Sequence, residues 1–282
     1  MTDGTTKQPL TGHPPSQGPW LWPWSGWPVL WACCAGGLVR IIYAFGYGYG
    51  LSMAASAAMS WLVRFHLPGR EVGGPQAVGL GLYAAYGARL FGFLYRRQNS
   101  QSYLSSKSWS KVDAKTAATP LGAKAAVTTF VSLSQTLSLY TLDTLCAPSA
   151  RLAIEAGPVR QYGLAALSAV GLALEAVADE QKLAAKALAP DAPVMSGLYT
   201  LCRHPNYLGE ILFWLGALGH CLVNSDASWR RKAVASLGPL FMVWVMVGAA
   251  ARLDADALAK YGADPAFQQW AGSTPSLLPG LR

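Results

Sequence analysis

The sequence predicts an all-α, polytopic membrane protein with six or seven transmembrane helices, and three observations carry that prediction. Charged side chains make up 13% of the 282 residues and hydrophobic ones 52%, where a soluble domain carries about 25% charged. Several apolar runs approach the ~20 residues that cross a hydrocarbon core. Lys and Arg gather in the loops between those runs, as the positive-inside rule requires. An ordinary soluble enzyme, a disordered chain and a coiled coil are thereby excluded. The net charge of +8 would suggest nucleic acid on a soluble domain, but its loop placement makes it a topology signal, and no nucleic-acid partner is expected. The cysteines at 33, 34, 146, 202 and 221 form no CxxC pair, and only Cys202 has a nearby histidine, His204. Neither a metal site nor a disulfide framework is expected from that spacing.

Taken in order, residues 1–19 are rich in Thr, Pro, Gly and Gln and read as a disordered tail before a membrane domain over 20–282. Trp20, Trp22, Trp24, Trp27 and Trp31 crowd together next, and indole rings favour the headgroup level, so this stretch reads as an interfacial anchor. Ile41 to Val63 contains no charge and would make roughly 34 Å of helix, enough to cross a core of about 30 Å. Five further spans are expected from Pro75 to Tyr95, Ala125 to Leu142, Gln161 to Val177, Tyr207 to Val223 and Ala233 to Ala251. A seventh could lie within Trp20 to Val39, where Arg40 and the lack of a polar turn equally fit a re-entrant element. With six spans, 13 Lys and Arg fall on the side of the termini and 7 on the other. That bias puts the C-terminus in the cytosol of an endoplasmic reticulum or other intracellular membrane.

The densest polar cluster, Arg203 through Glu210, stands where an apolar helix begins at Pro205. Proline starts a helix well, and first-turn N-H groups beside Arg203 and His204 would suit an anion. Tyr207, Glu210 and Trp214 fall within about 60° on the helical wheel, and a carboxylate this deep should face a partner or a cavity. One segment earlier, Glu175, Asp179 and Lys182 line one helical face. The simpler structural reading is an interfacial anchor for the first cluster and an Asp179 to Lys182 ion pair at a solvated helix end for the second. Arg89 and Arg40 read as arginines that snorkel to the interface, Asp143 as the end of a span, and Gly46 with Gly50 as a helix-packing contact. The basic loop from Arg96 to Lys124 reads as a segment near anionic lipid.

The Glu175 to Lys182 element, Ser196-Gly197-Leu198-Tyr199, the Arg203-His204-Pro205-Asn206-Tyr207 run and the closing Lys260-Tyr261-Gly262, Thr274-Pro275 and Leu278-Pro279 pattern resemble the steroid 5-alpha-reductase superfamily, in its uncharacterised multi-span branch. The resemblance covers about residues 89–279. It implies a membrane-embedded oxidoreductase that uses NADPH to reduce a carbon-carbon double bond of a steroid, sterol, polyprenoid or fatty enoyl substrate. By that resemblance Glu175, Asp179, Lys182, Arg203, His204, Asn206 and Tyr207 would bind the cofactor; Tyr207 and Glu210, on their shared helix face, are the candidates for ordering the catalytic end. Phe267 and Trp270 depart from the family's tyrosines, and only Tyr83 and Tyr86 offer hydroxyls for a ketone-binding pair. The same run also resembles isoprenylcysteine and phospholipid methyltransferases, which implies S-adenosylmethionine as the alternative cofactor, with Arg252-Leu253-Asp254 matching their charged pair imperfectly. A non-catalytic membrane scaffold is the third reading. The oligomeric state is left open.

Overall fold

The computed structural model describes residues 22–66, 74–105, 107–146, 158–223, 225 and 227–278; the expected tail over 1–19 lies outside them. Every regular element among the described residues is helical. Helix α1 covers Trp27–Cys34, α2 Tyr49–His66, α3 Gly74–Gln98, α4 Lys107–Ala117, α5 Leu121–Leu145, α6 Pro158–Leu188, α7 Pro205–Val223, α8 Trp229–Tyr261 and α9 Pro265–Ser273. Each expected span falls on helical residues, the first of them divided into Ile41–Tyr43, Ala44–Gly48 and α2. Three helices, α3, the Tyr162–Leu188 part of α6 and α8, are long and apolar enough to cross a membrane. The protein is thus an all-α integral membrane protein.

The N-terminal element does not run into the helix that follows it. Arg40 is extended, with φ −136° and ψ 122°, and the chain turns there before Ile41–Tyr43, a π-helical turn at Ala44–Gly48 and α2. Two of its tryptophans also face inward rather than toward headgroups. Trp27 Nε1 donates to Ser132 Oγ at 2.9 Å and Trp31 Nε1 to Thr129 Oγ1 at 3.1 Å, which docks α1 on α5. Arg40 likewise does not snorkel. It pairs with Asp113 of α4 at 2.9 Å and lies over the Trp109 ring at 4.9 Å.

Helix α7 runs through the middle of the bundle, and its Phe213 and Trp214 are fully buried with Tyr83 and Tyr86 of α3 and Met53 of α2. Two close crossings set the geometry. The Gly46 and Gly50 pair serves the first: a Cβ on Gly50 would stand 3.0 Å from the Gly87 carbonyl of α3, while one on Gly46 would touch Leu94. At the second, a Cβ on Gly209 would stand 2.5 Å from the Glu175 nitrogen and 2.6 Å from the Gly171 carbonyl. This backbone contact brings Glu175 of α6 and Glu210 of α7 together, because each glycine lies within a turn of the carboxylate that it positions. Gly209→Ala is expected to force α6 and α7 apart at a cost of about 1–3 kcal/mol. Gly81→Ala, where the added methyl meets open space, should leave the thermal unfolding of detergent-solubilised protein nearly unchanged.

Candidate functional site

Two polar networks form at the end of the bundle where α6 finishes and α7 begins. In the first, Arg89 of α3 bridges two carboxylates of α6, donating from Nη1 to Glu175 Oε1 at 2.7 Å and from Nη2 to Asp179 Oδ2 at 2.6 Å. Asn206 of α7 donates to the other Asp179 oxygen at 3.3 Å. The arginine read as snorkelling is therefore the hub of the cluster, since a planar fork satisfies two carboxylates one helical turn apart. It also replaces the Asp179 to Lys182 pair as the partner of Asp179.

Beside this network, Tyr49 of α2 donates to Glu210 Oε1 at 2.9 Å and accepts from Trp214 Nε1 at 3.1 Å. The Tyr86 hydroxyl lies 3.2 Å from that of Tyr49. Glu210 and Trp214 do share a helix face, and both meet on Tyr49. Tyr207 takes another direction and stacks on the His204 ring, with centroids 5.7 Å apart and 17° between planes. Tyr49 was missed because it lies in an uncharged span, where nothing local separates a network tyrosine from a packing one.

The second network is a clamp on residues 274–278, which follow α9 as a C-terminal strap. Arg203 forks onto Asp254 of α8 through Nε at 2.9 Å and Nη2 at 2.8 Å, and its Nη1 donates to the Ala271 and Thr274 carbonyls. His204 Nε2 and Ser276 Oγ also donate to Asp254, at 2.8 and 2.7 Å. The strap adds backbone bonds from Arg203 to Pro275 and from His204 to Ser276. Burial holds His204 below its ordinary pKa, although the Asp254 hydrogen bond pulls the other way, so the ring is neutral near pH 7 with its proton on Nε2. At Trp270, where the resemblance expects a tyrosine, the indole donates to the Tyr199 carbonyl at 3.0 Å. Arg203 and His204 thus bind protein acceptors, and no hydrogen bond among the described residues joins them to Glu175 or Asp179.

The donors and acceptors still open at this end lie in the first network. Glu175 Oε2, Arg97 Nε and both amide atoms of Gln98 are buried without a hydrogen-bond partner among the described residues. Lys182, half-buried, sits one turn beyond Asp179, which feels the charges of Arg89, Lys182 and Arg97. On the opposite face of α7, a cavity of about 670 Å³ runs between α7, α8 and the strap, lined by Leu208, Ile211, Leu215, Val247 and Leu278, with Arg203 and Ser276 as polar lining.

A family model described as "Protein of unknown function (DUF1295)" matches residues 49–274, which include every residue of the first network and all of the second except Pro275 and Ser276. No curated protein and no solved structure matches the chain.

Proposed function

Because the chain belongs to the DUF1295 family, and the matched region holds the whole Arg89-centred network, we propose that the protein is a membrane reductase of the steroid 5-alpha-reductase type. It takes NADPH from the cytosolic end of the bundle and reduces a carbon-carbon double bond in a lipid-soluble substrate. One observation supports this above the others: Glu175 Oε2 and Arg97 Nε are buried without a partner among the described residues, and the charges of Arg97 and Lys182 both act on Asp179, one turn along α6 from Glu175. That combination suits a dinucleotide, whose hydroxyl and amide groups need acceptors and whose phosphates need cationic donors.

In this reading Glu175 Oε2 accepts from a cofactor hydroxyl or amide, Asp179 and Asn206 hold the neighbouring wall, and Arg97 and Lys182 receive phosphates. Bound NADPH supplies the hydride. The chain holds the matching proton on Tyr49 Oη, with Glu210 accepting from it and Trp214 and Tyr86 fixing the ring's position. Arg203, His204 and Tyr207 contribute by fastening the strap and the start of α7, which keeps Asn206 and Glu210 in register. The cytosolic placement rests on the Lys and Arg bias and on the need of a soluble cofactor to reach Lys182. The methyltransferase alternative would rely on the charged pair after the last span, and there Asp254 is already engaged by Arg203, His204 and Ser276.

Calorimetric titration of purified protein tests the reading. NADPH is expected to bind more tightly than S-adenosylmethionine. Lys182→Ala and Arg97→Ala should each weaken NADPH binding roughly tenfold to a hundredfold, because each removes a charge-assisted contact of about 1.5–3 kcal/mol. Lys260→Ala, which removes an exposed pair with Asp191 and a contact with the Tyr261 ring, should not. Tight binding of S-adenosylmethionine without a response to NADPH would move the function to the methyltransferase class, and binding of neither would favour the scaffold.

A further inference from the structure

At the opposite end of the bundle three helices meet on one carboxylate. Arg64, in the last turns of α2, donates from Nη2 to Asp143 Oδ1 at 3.0 Å and to the Asp143 carbonyl at 2.8 Å. Arg231, in the first turn of α8, donates from Nη2 to Asp143 Oδ2 and from Nε to Thr144 Oγ1 at 3.1 Å. The side chains of Arg64, Asp143 and Arg231 are 2%, 1% and 9% exposed. Asp143, read from the sequence as the end of a span, is therefore the centre of a buried junction.

Among the described residues, two guanidiniums and one carboxylate leave one net positive charge at the junction, and guanidiniums do not shed their protons in proteins. Some of this charge is answered within the chain. The Tyr140 ring lies 5.8 Å from the Arg231 guanidinium, and Arg64 already takes one carbonyl at the end of α5. Arg64 Nε and Nη1 nevertheless have no acceptor among the described residues. Unpaired N-H groups on a buried cation carry a large desolvation penalty. Cys146, whose fully buried thiol is the one further hydrogen-bond partner of the Arg64 guanidinium among the described residues, is only a weak acceptor.

We propose that this junction binds a small monovalent anion of the halide class, held by the open N-H groups of Arg64. Its single charge matches the excess. The near-complete burial of all three side chains keeps lipid headgroups out, so that only a small ion could reach those donors. The bound anion then neutralises the point at which α2, α5 and α8 are tied together, so halide strengthens the bundle at the end remote from the proposed cofactor site.

The test is thermal unfolding of the full-length protein in detergent, with gluconate exchanged for chloride or bromide at constant ionic strength. A saturable rise in Tm of several degrees is expected with either halide. Arg64→Met removes both the excess charge and the open donors while leaving the neutral Arg231 and Asp143 pair, so the rise should vanish. Crystals grown with bromide should show an anomalous peak beside the Arg64 guanidinium, which decides the matter even if the variant fails to fold. A Tm response equal in the two proteins, one that appears only at molar halide, or crystals without that peak would overturn the proposal. So would halide insensitivity combined with destabilisation by Glu71→Gln, Glu155→Gln or Asp226→Asn, because the counter-charge would then come from the chain itself.

Discussion

Replacing Arg89 with alanine is expected to cost about 3–5 kcal/mol of stability, the range for breaking a buried ion pair from one side. The reason is what remains: Glu175 and Asp179, with side chains 5% and 9% exposed, would face each other across one helical turn without their shared cation. Arg89→Lys should recover only part of the loss, because an ammonium is a point charge and cannot fork onto two carboxylates. Adding Glu175→Gln and Asp179→Asn to Arg89→Ala should restore most of the stability while leaving cofactor binding weak. Thermal unfolding and NADPH titration of the same preparations separate the two effects. If Arg89→Ala unfolds with the wild-type midpoint, Arg89 is not the hub of the network.

The contrast between Arg89 and the residues it binds shows what a sequence discloses. Helical spacing is local, so the shared face of Glu175 and Asp179 and the start of α7 at Pro205 could be read directly, as could all six apolar runs. Partner choice across helices is not local. An arginine inside an apolar run has two solutions, to reach out to headgroups or inward to a carboxylate, and only the packing of α3 against α6 places the carboxylates where the inward solution is available to Arg89. Arg203 illustrates the reverse case. Its position beside a helix start suggested an anion site, but Asp254, fifty-one residues later, supplies the anion from within the chain. The same non-locality hid Tyr49, whose partners Glu210 and Trp214 lie more than 160 residues away.

Asp143→Asn is expected to produce the second large loss, again about 3–5 kcal/mol, because it leaves two guanidiniums in one buried junction with no carboxylate between them. The amide keeps the shape and can still accept a hydrogen bond, so the loss would report charge rather than packing. Removing the whole junction should behave differently. A triple variant carrying Arg64→Met, Asp143→Leu and Arg231→Met exchanges a buried charge cluster for apolar side chains of similar reach, and such exchanges are often neutral or stabilising. Its unfolding midpoint should therefore lie well above that of Asp143→Asn. Halide sharpens the comparison: with the carboxylate gone the junction carries two positive charges, so chloride should rescue Asp143→Asn more strongly than it stabilises the wild type, and should do nothing for the triple variant. An Asp143→Asn protein as stable as the wild type in gluconate would mean that Arg64 and Arg231 are neutralised by something other than this aspartate.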